Sequence, residues 1–136
     1  MPPKINCPVK DWVTAGQVRH NAPARPADVL VVAVKPQVFG ALANEIKPRV
    51  GPQTQVLSIM AGVSTATLEA RLGTSNVARA MPNTPGLVSK GVTILCPKPG
   101  ASDAVISDLK ALLAPLGDVE GPVSEALLPA ATAISG

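Results

Sequence analysis

Three short apolar runs constrain this chain more than any other feature, because each has strand length and each ends in Gly or Pro punctuation. They are Val29 to Val34, Gln55 to Met60 and Asn76 to Ala80. The turns that follow are Ala33-Val34-Lys35-Pro36, Ala61-Gly62-Val63 and Met81-Pro82-Asn83-Thr84-Pro85. β-Branched residues in the runs favour strands over buried helix. The segments between them are long enough for helical crossovers, and parallel strands joined by right-handed crossovers place all three turns at one edge of a sheet. In open α/β sheets the carboxyl edge is where ligands bind. The expected fold class is therefore α/β, with three parallel strands and flanking helices.

Between and beyond the runs the pattern is regular. A helix is expected from Pro36, a residue suited to the first turn, through Val38, Leu42 and Ile46 to Pro48. A second is expected from about Ser64 to Leu72, burying Leu68 and Leu72 and stopping at Gly73. Only about ten residues separate the third run from Gly91 to Cys96, too few for a parallel crossover, so that fourth strand is expected to be antiparallel and to cap the sheet. Ser102 to Leu116 is the clearest helix. Ser102 and Asp103 cap it, Val105, Ile106, Leu109, Leu112, Leu113 and Leu116 form its apolar stripe, and Gly117 stops it. A final helix is expected over Glu125 to Ile134, started or kinked by Pro129. The first 22 residues, broken by Pro2, Pro3 and Pro8, are expected to form an irregular arm. The expected division is an arm at 1–22, an α/β domain at 23–123 and, at 124–136, the start of a helix leading to a further domain.

Composition narrows the function. At 136 residues the chain is one domain at most. Hydrophobic residues make up 46% and charged residues 15%, which points to apolar surface that a partner or further chain would cover. Twelve basic against nine acidic residues, spread without a run, and one Phe, one Trp and no Tyr argue against nucleic-acid binding, since no aromatic platform for bases exists. No apolar run approaches membrane-spanning length and the start lacks the apolar core of a signal peptide, so a cytoplasmic setting and no membrane partner are expected. Cys7 and Cys96 have neither metal-ligand nor redox spacing, so no metal site is expected, and His20, the single histidine, lies in the irregular arm.

DVLVVAVKPQ (Asp28 to Gln37), LSIMAGV (Leu57 to Val63), VARAMPNTPGLV (Val77 to Val88), Gly91 to Cys96 and LLPAATAISG (Leu127 to Gly136) together resemble, in order and spacing, pyrroline-5-carboxylate reductase. The resemblance covers roughly residues 15 to 136. It implies the second half of a Rossmann-like doubly wound sheet and an NAD(P)H-dependent oxidoreductase of proline biosynthesis that reduces the cyclic imine 1-pyrroline-5-carboxylate to L-proline. It further implies that Ala33, Val34, Lys35 and Pro36, then Ala61, Gly62 and Val63, line the dinucleotide, that Met81, Pro82, Asn83, Thr84 and Pro85 sit by the nicotinamide and substrate, and that Asn21 touches the adenosine side. No catalytic residue is assigned. NADPH is expected over NADH, and a homo-oligomer is implied for a complete family member.

The residue types suit that chemistry. The cofactor performs hydride transfer, so the protein has to orient the nicotinamide and exclude water. Gly62 allows close backbone approach, Asn83 offers an amide, and Lys35 offers a cation at a helix start. The family's opening strand, Gly-x-Gly-x-x-Gly turn and helix have no counterpart here, since the only glycine before Gly40 is Gly16. Its helical dimerisation domain would follow Ser135-Gly136. Weak dinucleotide affinity and poor solubility are therefore expected of the chain alone, the latter because the Val29 strand would lie at an unpaired edge. Two other readings stay open. One is a non-catalytic paralogue that pairs with a full-length reductase subunit, and the other is a Rossmann reductase acting on another imine or ketone.

Overall fold

The structure, a computed structural model, describes residues 28–135. The expected arm, with Cys7, His20 and Asn21, lies outside the described residues. Strands β1 (Val29–Val32), β2 (Gln55–Ser58), β3 (Val77–Met81), β4 (Gly91–Pro97) and β5 (Gly117–Glu120) form one sheet whose spatial order is their order in the chain. The β1–β2, β2–β3 and β4–β5 pairs are parallel, and β3–β4 is antiparallel, as the short connection required. The expectation that β4 caps the sheet needs correction, because β5 pairs along its far side and takes the edge.

Helices α1 (Pro36–Ile46), α2 (Thr65–Leu72), α3 (Asp103–Leu113) and α4 (Leu128–Ser135) cover both faces. Period-2 alternation sorts the strands between two layers. Val32, Val56 and Val77 face α1 and α2, where Phe39, Ala43, Ile46, Leu68 and Leu72 complete one core. Leu57, Ala78, Ala80 and Leu95 face α3 through Leu109 and Leu113. A smaller cluster of Met81, Cys96 and Leu128 seats α4 on the same side as α1 and α2. The sheet is thus doubly wound, and the expected Rossmann-like α/β arrangement is present. Among the described residues no helix is long and apolar enough to cross a membrane.

Local sequence explains the element ends. α2 starts where the Ser64 hydroxyl accepts the Thr67 N–H and ends at Gly73, which adopts φ 70°. α3 starts in the same way, with Ser102 accepting from Val105 N–H. It gives way to a 3-10 turn at Ala114–Leu116, so the expected helix to Leu116 loses its last turn to a tighter form around Pro115. α1 has the expected Pro36 start, but its buried face is Phe39, Ala43 and Ile46, whereas Val38 is 40% exposed. Pro129 falls in the first turn of α4, preceded by a 3-10 turn at Glu125–Leu127.

Candidate functional site

Because β1, β2 and β3 run parallel, their carboxyl ends share one edge, and the three turns expected at the site stand there side by side. The register is close: Val32 lies opposite Ser58, and Ser58 opposite Arg79. Within the turns, Ala33, Lys35, Pro36, Ala61, Gly62, Thr84 and Pro85 are exposed, and Val34, Pro82 and Asn83 are half-buried. Val63 and Met81 differ. Their side chains are each 8% exposed and belong to the cores, so only their backbone can face a ligand. Asn21 lies outside the described residues.

Two helices begin at this edge, and they are not equivalent. α1 opens at Lys35 with no side-chain cap and no acidic residue in its first turn, and Pro36 removes one donor that would otherwise be orphaned. The Val38 N–H already donates to the Lys35 carbonyl, so the Gln37 N–H and the Lys35 ammonium are the groups that suit an anion such as a phosphate. α2 is already occupied. Ser64 caps it, and the Glu125 carboxylate accepts both the Thr65 N–H and the Thr65 hydroxyl, each at 2.8 Å. A second anion there would meet a carboxylate, so a phosphate at this edge has α1 as its helix terminus.

The backbone at Gly62 has φ 73°, a left-handed conformation that favours glycine, and a Cβ built there would meet nothing within 4 Å. The turn therefore leaves open space where a flat ligand can approach the main chain. Asn83 is partly committed, since its Oδ1 accepts the Val92 N–H at 2.9 Å and ties the start of β4 to the turn after β3. Its amide nitrogen is the group left for a ligand. A 3-10 turn at Thr84–Val88 follows, carrying Leu87 at 89% and Val88 at 70% exposure beside the same edge.

Sequence reasoning missed the charged pair beneath these turns. Arg79, only 7% exposed, projects from β3, and its Nη1 bonds Glu125 Oε1 at 2.8 Å while Nη2 donates to the Met60 carbonyl at 3.5 Å. Arg79 Nε is buried with no partner among the described residues. Burial opposes ionisation of Glu125, but the hydrogen bonds from Arg79 and Thr65 and the Arg79 charge outweigh it and hold the carboxyl below its ordinary range. For the neighbouring Cys96 thiol, burial dominates and pushes the pKa up, against the pull of the Arg79 charge. Such a thiol is not a nucleophile at neutral pH. The one available signal was a lone arginine inside the apolar run Val77 to Met81. Among the described residues no group of His, Cys, Asp and Glu could hold a metal.

A polar groove of about 290 Å³ lined by Gln55, Asn76, Lys98 and Ser102 lies where β2 and β3 begin, at the opposite edge from the three turns. Its Lys98 is engaged by Glu69 at 2.6 Å.

A family model described as ketopantoate reductase PanE/ApbA matches residues 5–85. The pyrroline-5-carboxylate reductase of Pseudomonas aeruginosa is 39% identical over 121 residues, 88% of this chain and 44% of that protein. The crystal structure of the Plasmodium falciparum pyrroline carboxylate reductase with NADP bound superposes with a TM-score of 0.73 at 33% identity, covering 80% of this chain and 41% of the other. The structure of a Coxiella burnetii pyrroline-5-carboxylate reductase gives a TM-score of 0.74 at 32% identity, covering 81% of this chain and 42% of the other. The chain thus spans less than half the length of the relatives it matches. The ketopantoate reductase family model matches more than half of the chain, so the chain belongs to that family, and over about four fifths or more of its length it is similar to pyrroline-5-carboxylate reductases.

Proposed function

We propose that this chain carries the nicotinamide-side half of an NAD(P)H-dependent reductase site that converts 1-pyrroline-5-carboxylate to L-proline. The observation that carries the reading is the alignment of the turns 33–36, 61–63 and 81–85 at one edge of β1, β2 and β3, in a chain 33% identical to a reductase whose structure has NADP bound. When bound, the dinucleotide supplies the hydride. Lys35 and the open start of α1 hold a phosphate, the bare backbone at Gly62 lets the cofactor lie close, and the Asn83 amide nitrogen donates to the nicotinamide carboxamide or a bridging water. Val63 and Met81 keep the turns at fixed height by anchoring them in the core. NADPH is the cofactor this reading favours, on the likeness to a relative whose structure has NADP bound. Residues 124–136 lead towards the helical part of longer relatives, where the imine's other contacts and a second subunit belong.

The test is a titration of the isotopically labelled 136-residue chain with NADPH and NADH, followed by amide chemical shifts. Shifts concentrated at 33–36, 61–63 and 81–85 with a dissociation constant in the millimolar range, about −4 kcal/mol, are expected, because one helix terminus and one cation hold only part of the cofactor. No response in these turns at saturating dinucleotide would overturn the reading. Since the ketopantoate reductase model matches residues 5–85, which hold the three turns proposed for the dinucleotide, a companion assay offers both the cyclic imine and a 2-oxo acid. The imine is the expected substrate.

A further inference from the structure

We propose that Arg79 and Glu125 are positioning residues of the dinucleotide site, clamping the turn Ala61-Gly62-Val63 from both sides; the inference rests on reading that turn as cofactor-binding. The turn has little of its own to hold it. Ala61 and Gly62 are exposed, a Cβ built on Gly62 would meet nothing within 4 Å, and Gly62 has φ 73°, leaving Val63 as the single residue of the three with a buried side chain. The backbone on either side is fixed by one ion pair. On the strand side, the Met60 carbonyl accepts from Arg79 Nη2. On the helix side, the Thr65 N–H and hydroxyl both donate to Glu125, whose Oε1 also takes Arg79 Nη1 at 2.8 Å.

The arrangement is expensive for a purely structural contact. Arg79 is nearly fully buried and leaves its Nε unpartnered, although an apolar side chain in the same place would avoid that cost. What an apolar residue cannot do is direct a carbonyl and an N–H at the two ends of a four-residue turn. On the helix side the charge-assisted bonds, at 2.8 Å, set direction as well as distance, while the Met60 carbonyl is held more loosely at 3.5 Å. Glu125 precedes α4, so the clamp also makes the height of the turn depend on how that last helix is seated on Met81 and Cys96.

Three variants of the full chain test this: Glu125→Gln, Arg79→Met and Arg79→Lys. The readouts are amide hydrogen exchange at residues 61–65, the global unfolding free energy, and NADPH affinity from chemical shifts. Glu125→Gln and Arg79→Met are expected to speed exchange at Thr65 by about tenfold or more, the loss of a hydrogen bond to a charged group, and to weaken the NADPH response at 61–63 more than at Lys35. Arg79→Lys keeps a cation in the fold but cannot reach Met60 and Glu125 together, so it should loosen the turn with the global stability largely retained. Exchange and affinity unchanged while stability alone falls would overturn the clamp. If the unsubstituted chain shows no NADPH response in any of the three turns, the cofactor reading fails first and this inference with it.

Discussion

Gly117 lies so close to Gly91 that a Cβ built on it would stand 2.1 Å from the Gly91 carbonyl oxygen. The two glycines are register partners at the start of the parallel β4–β5 pair, and Gly117 takes φ 128° as the chain turns out of the 3-10 segment into β5. Neither the space nor the conformation admits a side chain. Gly117→Ala is expected to cost about 3 kcal/mol, the sum of overpacking against backbone and an unfavourable φ. A urea melt followed by circular dichroism measures it, and a loss below the resolution of the melt would contradict the account of this edge.

Gly40 is the opposite case. It sits inside α1, and a Cβ there would meet nothing within 4 Å. Gly40→Ala should therefore raise stability by about 0.5–1 kcal/mol through helix propensity and the reduced freedom of the unfolded chain. The same melt, run beside the Gly117 variant, gives the two substitutions opposite signs.

The lowered pKa of Glu125 fixes the sign of an acid transition. The folded carboxyl lies below its ordinary value of 4.5, so the unfolded chain takes up its proton first, and Glu125 stabilises the fold above that value. Its contribution is lost as pH falls through 4.5 towards the lowered folded value and vanishes below it. Melting temperature measured from pH 7 to 3 should fall in that acid window, and Glu125→Gln should flatten the fall. An equally steep fall in the variant would assign it to other carboxylates.

The β1 side of the sheet carries a further consequence. Val29 and Val31 point to the face that α3 covers elsewhere, and they remain 42% and 48% exposed. An apolar strand at the end of a sheet favours pairing with another chain. Val31→Lys should raise solubility while shifting stability by no more than about 0.5 kcal/mol. Analytical centrifugation at rising concentration checks it, and an unchanged association would place the sticky surface elsewhere, with exposed Leu87 the next candidate.

The parts of this fold legible in the sequence were those with local chemical signals. Ser64 and Gly73 bracket α2 because a hydroxyl cap and a left-handed glycine act within a few residues. The short link between β3 and β4 dictated their antiparallel pairing. β5 was not legible: Gly117-Asp118-Val119-Glu120 has one apolar residue, so four residues at a polar edge show no period. For α1 the reading of Leu42 and Ile46 as core-facing holds, but Val38 is exposed and Phe39 and Ala43 complete the buried face, which a small alanine signals weakly in sequence. At the site, the turns were legible from Gly and Pro punctuation. The Arg79–Glu125 bond was not, since it joins residues 46 apart and neither one alone signals the other.

The order of the strands in the sheet, which is their order in the chain, bears on how the molecule assembles. Among the described residues each later strand pairs with the one that precedes it, so none of these ladders waits for a distant segment, and closing each step costs little loop entropy. A chain leaving the ribosome can add β2 to β1, then β3, then the β4–β5 ribbon, in the sequence in which they appear. Glu125 is the exception. It is made 60 residues after Thr65, the residue whose N–H it accepts, so the turn beneath the proposed dinucleotide site is fastened only after the five described strands have been made.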